Sequence, residues 1–524
     1  FSDTATGRRI TSPLMALRTF NGPGNSNDYA YSVAVDGAGK MVVAGSETGI
    51  TGGVNWRVRR YDPDLSLLLS STDYNGPANS IDTANAVAVD ASGDVVVAGS
   101  ETGSAGGTNW RVRRYDPALV TVMASIDYNA GIATDIAYSV ALDGTGNVVV
   151  AGYETNPTTG INWRISVYDP ALSVLLSTTD FNGTAGGVDA ATGVTVDASG
   201  NIVVCGYESD GTVDKWRIRV YDASLTTLLG GTVYGSPQVL GNAYANAVTT
   251  DDAGNVVVVG YETGLLGGNN WRICRWNPAL TVLLGTTDYN GPGSGTDVAY
   301  GVARDANGNL VVAGNELGAA GGSNWRIRKY DTAFNLLDSL SHDGLLTGSD
   351  ILRGVAAFGT SSVYVAGQET VRNNGADMAV ARYELAPFLP PTAPLPLTAR
   401  GQNRQVYLNW APAAPGTRSL SGYVAYRSNC AGCAPVLVGA YPLSVTAITD
   451  AGLVNGEVYT YSVRAVDVLG AESSTRFVAT AVPLDENLNP PPCFAASQRG
   501  TSNVVDLSWC FSPAATHPAT GYGY

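Results

Sequence analysis

The chain has 524 residues, 44% hydrophobic and only 14% charged, with 63 glycines and a formal net charge of -15. That length exceeds one compact domain, and the apolar fraction excludes a disordered chain. The acidic balance argues against nucleic acid or an anionic membrane as partner, and no apolar run approaches the ~20 residues of a membrane span.

Phe1 carries neither an initiating Met nor a signal peptide, so the chain reads as a mature or trimmed form. In chain order, the first patterned segment is LMALRTFNG at 14–22. A repeat follows. NWRVRRYDP at 55–63 returns at 109–117, 162–170, 215–223, 270–278 and 324–332, and in degenerate form as DMAVARYEL at 377–385. Trp56, Trp110, Trp163, Trp216, Trp271 and Trp325 are spaced by 54, 53, 53, 55 and 54 residues. A second segment, VAVDGAGKMVVAGSETG in its first copy, begins at Val33, Val87, Val140, Val194, Val248, Val302 and Val355, which makes seven units.

Each unit holds four strand-like pieces, exemplified by AYSVAVD, VVVAGSE, WRVRRYD and TVLLGTTDYN. A DxxGN-type turn joins the first two, with Gly supplying the positive φ of a tight hairpin. Helical periodicity is missing. The pattern therefore predicts an all-β chain whose first part is a seven-bladed β-propeller, a fold that manages its sheet edges by arranging blades in a ring. The seventh unit runs into a Pro-rich stretch after its third strand. Residues 14–22 resemble the missing fourth strand, so the N-terminal strand is expected to close the ring. Asp28, Asp36, Gly39, Val42 and Gly45 carry a pattern that resembles bacterial seven-bladed β-propeller repeat families. The resemblance spans about three quarters of the chain and implies the fold, and many such proteins are secreted or surface-located.

The propeller is expected over 1–386, with a Pro-rich linker at 387–397. Beyond it, VYLNWAP, SGYVAYRS and GLVNGEVYTYSVRAVD resemble a fibronectin type III β-sandwich over 398–484, with Trp410, Tyr423, Tyr459 and Tyr461 at its core positions. A linker at 485–492 precedes VVDLSWCFSP and TGYGY, which resemble the start of a second such module over 493–524, with Trp509 and Tyr522 in matching places. Three strands cannot bury two sheets. Either the natural chain continues, the simpler reading, or another subunit completes the module.

Cys493 and Cys510 flank a GTSN turn symmetrically, and Cys430 and Cys433 form a C-x-x-C in a loop. Both pairs are disulfide candidates, which favours an oxidising setting. Zinc or thioredoxin-like readings of the C-x-x-C lack further ligands and context. Cys205 and Cys274 lie in strands and are expected as buried thiols.

Two charged columns keep the period. Arg57, Arg111, Arg164, Arg217, Arg272 and Arg326 follow Glu47, Glu101, Glu154, Glu208, Glu262 and Glu316 by nine or ten residues, across one hairpin connection. The expectation is an inter-strand ion pair in each of six blades, with a charged ligand-binding ring as the alternative. The seventh unit has Glu369 but Ala379 at the Arg position, so Glu369 needs another partner. The tryptophan column is expected to pack between blades, with sugar stacking as the alternative. Asp28, Asp82, Asp135, Asp189, Asp297 and Asp350 precede their unit's Val by five residues, and Ala243 replaces them in the fifth. They read as caps of the turn entering the innermost strand, or as a carboxylate ring near the channel that would take Ca²⁺.

No catalytic set is visible. His342 and His517 are the only histidines, and nucleophile, P-loop, dinucleotide and zincin motifs are absent. Neither a catalytic residue nor a required cofactor is expected. The long second-to-third and inter-blade loops share one face, where recognition is expected. The resulting expectation is a non-enzymatic, secreted or cell-surface structural or adhesive protein, with protein or carbohydrate partners at the extracellular surface or with self-assembly into a filament or array. No nucleic acid and no membrane insertion are expected. The alternative is the non-catalytic binding portion of a larger extracellular polysaccharide-active enzyme.

Overall fold

The computed structural model describes residues 14–508 apart from 51–52, 130–132, 184–185, 236–240, 265–267, 294, 320, 345–347, 372–374, 386–390, 417–419, 430–432, 468–471, 474–477, 485–494 and 499–504. Every element among the described residues is a strand, and no helix there is long and apolar enough to cross a membrane. The chain divides into two compact units, Phe1–Ala386 and Pro387–Tyr524.

The first unit contains seven four-stranded antiparallel sheets. Sheet 1 is Tyr29–Val35, Met41–Thr48, Val54–Tyr61 and Leu68–Tyr74 in spatial order. Sheets 2 to 6 repeat this meander, their first strands starting at Thr83, Ile136, Ala190, Ala243 and Val298. Sheet 7 is assembled from both ends of the unit: Ile351–Phe358, Ser362–Val371 and Gly375–Glu384, with Leu14–Phe20 paired antiparallel against the last of these. The first strand of each sheet packs on the first strand of the next, and that of sheet 7 packs on sheet 1, so the seven form a closed ring.

The sequence explains this meander locally. The hairpin glycine adopts the left-handed conformation, as at Gly39 with φ 80°. The second strand is apolar on both sides, and Val42, Val43 and Ala44 are fully buried because each sheet lies between two others. The turn into the fourth strand places a leucine rather than a glycine at positive φ, as at Leu65 (55°) and Leu119 (56°). That costs about 1 kcal/mol. Burial of the side chain against the neighbouring sheet offsets it, since Leu119 joins Val42, Trp56 and Val95 in one apolar cluster.

The first strand holds the feature that shapes the interior. In all seven sheets its pairing to the second strand slips by one residue, between Ala30 and Ser32 in sheet 1 and between Leu352 and Gly354 in sheet 7. The bulge drives a first-strand carbonyl toward the second strand. A Cβ on Gly45 would lie 1.9 Å from the Tyr29 carbonyl oxygen, so only glycine fits there.

The second unit has a three-stranded sheet (Leu397–Gln402, Gln405–Trp410, Ala447–Ala451) and a four-stranded one (Val436–Pro442, Leu420–Ser428, Tyr459–Asp467, Ala479–Ala481). Their inner faces share one core that includes Leu408, Trp410, Tyr423, Tyr461 and Val463. Inside it the Tyr461 hydroxyl donates to Asp450 Oδ2 at 2.9 Å, and Arg427 Nη1 donates to the same oxygen at 2.8 Å. Of the expected second module, two paired strands are described, Ala495–Gln498 and Val505–Ser508. Trp509 and Tyr522 fall outside the described residues.

Candidate functional site

The repeated charges lie within and between sheets. Arg57 stands opposite Gly45, and Glu47 opposite Asn55, so Glu47 and Arg57 are diagonal neighbours on one face. The glycine leaves room for the guanidinium to lie over the second strand and reach the carboxylate. Arg57 Nε donates to Glu47 Oε2 at 2.7 Å and Arg111 Nε to Glu101 Oε2 at 2.8 Å. Arg164 Nη1 is 2.9 Å from Glu154, Arg217 Nη2 2.7 Å from Glu208, and Arg326 Nε 2.9 Å from Glu316. Arg272 pairs with Glu262 in the same way. The Glu47 and Glu101 side chains are only 2% exposed, so each would be an uncompensated buried charge without its arginine.

Most of the glutamates also receive a group from the preceding sheet, the exceptions being Glu47 and Glu208, where the corresponding residues are Phe20 and Phe181. The Tyr74 hydroxyl donates to Glu101 and the Tyr128 hydroxyl to Glu154. Burial and the Glu101 contact push the Tyr74 phenol up to about 12. Glu369, which has no arginine, is met by His342 Nε2 at 2.6 Å from the corresponding position of sheet 6. A further arginine column stacks on the same fourth-strand aromatics: Arg59 on Phe20 at 4.0 Å, Arg113 on Tyr74 at 4.1 Å and Arg328 on Tyr289 at 4.2 Å.

The tryptophans are buried and reach across to the next sheet. Trp56 Nε1 donates to the Ser100 carbonyl at 2.8 Å, Trp110 to Tyr153 at 2.8 Å and Trp163 to Tyr207 at 2.9 Å. Trp216, Trp271 and Trp325 donate to Tyr261, Asn315 and Gln368 at 3.2, 2.9 and 3.0 Å. Met378, which replaces Trp in sheet 7, packs among Ala30, Val33 and Met41 of sheet 1. With no face of these six tryptophans left open, the sugar-stacking alternative has no surface to use.

The aspartate column does not form a ring around the axis. Asp28, Asp82, Asp135, Asp189, Asp297 and Asp350 are fully buried, and none lines the central cavity. Their carboxylates turn back to the chain. Asp82 accepts the Gly76 N–H at 2.5 Å and the Thr102 N–H at 2.9 Å, and Asp350 accepts those of Gly344 (2.8 Å) and Thr370 (2.7 Å). Each thus ties the incoming loop to the end of the second strand. Burial raises the carboxyls of Asp28, Asp82, Asp189, Asp297 and Asp350 above the ordinary value, against the pull of those N–H groups. No group of three His, Cys, Asp or Glu among the described residues is placed to hold a metal ion, so the Ca²⁺ reading has no ligand set there.

Cys433 is disulfide-bonded. Cys430, Cys493 and Cys510 lie outside the described residues, so neither expected pairing is described. Cys205 and Cys274 are buried free thiols.

What the repeat does not consume is the lining of the central cavity. A space of about 430 Å³ is enclosed by the first strands of all seven sheets. At the bulge of each strand stand, in order round the ring, Tyr31, Asn85, Tyr138, Thr192, Asn246, Tyr300 and Arg353, and all seven line the cavity. Columns that hold the sheets together are nearly uniform, whereas this one changes from sheet to sheet. Asn85, Thr192 and Asn246 use their side chains to bridge to the next sheet, donating to the carbonyls of Ala137, Ala245 and Ala299. The three tyrosines and Arg353 form no such bridge. Chain direction places this position near the entry of the innermost strand, on the side of the second-to-third and inter-sheet loops. There Tyr153, Tyr207, Tyr244 and Tyr261 add further rings, with Tyr207 and Tyr244 centred 4.6 Å apart. The bulge column was not among the sequence expectations. Its signal was variability inside an otherwise constant segment: AYSVAVD, TANAVAVD, AATGVTVD, ILRGVAAF.

Comparison with known proteins gives a limited match. Residues 39–67 match the model of a β-propeller domain of unknown function, DUF5122, and the ring of four-stranded sheets agrees with that fold. No curated protein matches significantly. Among solved structures, the chain is similar to the extracellular domain of a B. thetaiotaomicron protein designated a hybrid two component system, with 13% identity and a TM-score of 0.42 over 90% of this chain. This chain spans 58% of that structure's length. A protein of unknown function from Dyadobacter fermentans matches at 11% identity and a TM-score of 0.42, covering 71% of this chain and 99% of its own. An Fn3-like protein from Clostridium thermocellum matches at 26% identity and a TM-score of 0.16, covering 18% of this chain and 97% of its own.

Proposed function

We propose that the chain is a non-catalytic extracellular binding protein: a seven-bladed β-propeller head, closed by the N-terminal strand, carried on fibronectin type III-like modules. The supporting observation is the division of labour among its polar residues. Repeated acids and bases are engaged in ion pairs and backbone caps within the ring, leaving no free acid–base pair among the described residues that line the central cavity. The non-repeated residues converge at one mouth of a rigid channel, where a binding surface needs them. In this reading the head engages carbohydrate or protein at the cell surface, and the modules act as an adhesive stalk. A Cys430–Cys433 disulfide suits that location.

The test is incubation of the purified chain with a panel of extracellular polysaccharides and surface proteins. Saturable retention without release of reducing ends or peptides is expected. Cleavage of any of them contradicts the proposal.

A further inference from the structure

Among the described residues, Arg353 is the one charged residue in the lining of the central cavity, and no carboxylate among them faces it there. Other arginines of the ring either meet an acid, as Arg60 meets Asp36 and Arg111 meets Glu101, or lie stacked between aromatic rings of neighbouring sheets away from the cavity, as Arg59, Arg113 and Arg328 do. Arg353 meets neutral groups instead. Its Nη1 donates to Gln368 Oε1 at 2.6 Å, and its guanidinium carbon lies 5.2 Å from the Tyr31 ring centroid and 5.7 Å from that of Tyr29. These contacts orient the fork and leave most of its five N–H donors unused. On either side of it round the ring stand Tyr31 and Tyr300, whose hydroxyls have no hydrogen-bond partner among the described residues. A fixed guanidinium fork between two phenols suits a carboxylate on a ring-shaped ligand: the fork takes the carboxylate, and the phenols offer donors and flat faces. A volume of about 430 Å³ admits one or two sugar-sized rings. The chain's net charge of -15 disfavours a polyanion threading the channel and tolerates a single acid group.

We propose that the channel mouth is a binding site for one carboxylated sugar residue, a terminal uronic acid, with Arg353 as its anchor. The assignment rests on the reading of the first unit as a binding head.

The test is titration of the full chain with sodium galacturonate and with its methyl ester, followed calorimetrically or by ligand NMR. The two probes share the sugar ring and differ at the carboxyl that Arg353 would meet, charged in one and capped by a methyl group in the other. Galacturonate is expected to bind saturably and about tenfold or more tighter than the ester. Arg353→Gln should abolish that preference, and Arg353→Lys, which keeps the charge but not the fork, should retain part of it. A melting curve of each variant confirms that the ring is intact. If the variant melts early, the wild-type comparison alone decides. Equal binding of the two probes, no saturable binding of either, or a preference that survives in a folded Arg353→Gln variant overturns the proposal. A chain that binds polysaccharide or protein but not galacturonate loses this site and keeps its role as a binding head, whereas cleavage of polysaccharide removes the binding-head reading itself.

Discussion

The frame of the ring and the lining of its channel follow opposite rules. In the frame, six sheets carry the same Trp, Glu and Arg, and each residue has the same partner one strand or one sheet away. In the lining, one position per sheet carries Tyr, Asn, Thr or Arg. Uniform residues answer a requirement that every sheet shares, which is to bury its faces on two neighbours. A position freed from that requirement by a bulge can differ from sheet to sheet. Frame substitutions should therefore cost stability, and lining substitutions should cost little.

The largest effect is expected at the tryptophans. Trp163→Ala removes a fully buried ring and its hydrogen bond to sheet 4, and should destabilise by about 4 kcal/mol in chemical denaturation. Arg111→Ala leaves Glu101 buried with only Tyr74 beside it, and should cost about 3 kcal/mol. A cost near zero there would break the distinction between frame and surface. Tyr300→Phe in the lining removes a hydroxyl with no described partner, and should change stability by less than about 0.5 kcal/mol.

A smaller effect should appear with pH. Burial raises the carboxyls of Asp28, Asp82, Asp189, Asp297 and Asp350 above 3.8, so the folded chain takes up their protons before the unfolded chain does. Their contribution to stability therefore grows as pH falls from neutral through the raised values and levels off below 3.8. Asp82→Asn, which cannot titrate, should therefore lose stability relative to the wild type as pH falls through that range in denaturation curves, and a difference that stays constant with pH would contradict the assignment.

The frame was legible in the sequence because its rules are local and repeated. A Glu nine or ten residues before an Arg, across one hairpin, suffices to place Glu47 beside Arg57. The closing strand was legible because 14–20 copies the fourth strand of the other sheets. Partners from the neighbouring sheet were harder to read. His342 as the partner of Glu369 depends on sheet-to-sheet packing that no spacing within one unit encodes. The aspartates were legible as caps of the turn entering the innermost strand, and their side chains do turn back to backbone amides, since a buried carboxylate is drawn to nearby N–H donors; the reach to the end of the second strand was not. The bulge was hidden most completely. One extra residue in a strand of small residues hardly disturbs its alternation, and yet it decides which side chains face the channel.

The most direct test is to make the same substitution in both regions and follow unfolding of each variant. Arg111→Gln and Arg353→Gln each remove a part-exposed arginine from the ring, one paired with a buried glutamate and the other with a neutral amide. The account predicts a loss of about 3 kcal/mol for Arg111→Gln and less than about 1 kcal/mol for Arg353→Gln. Equal losses at the two positions would show that the lining is part of the frame, and would contradict the account.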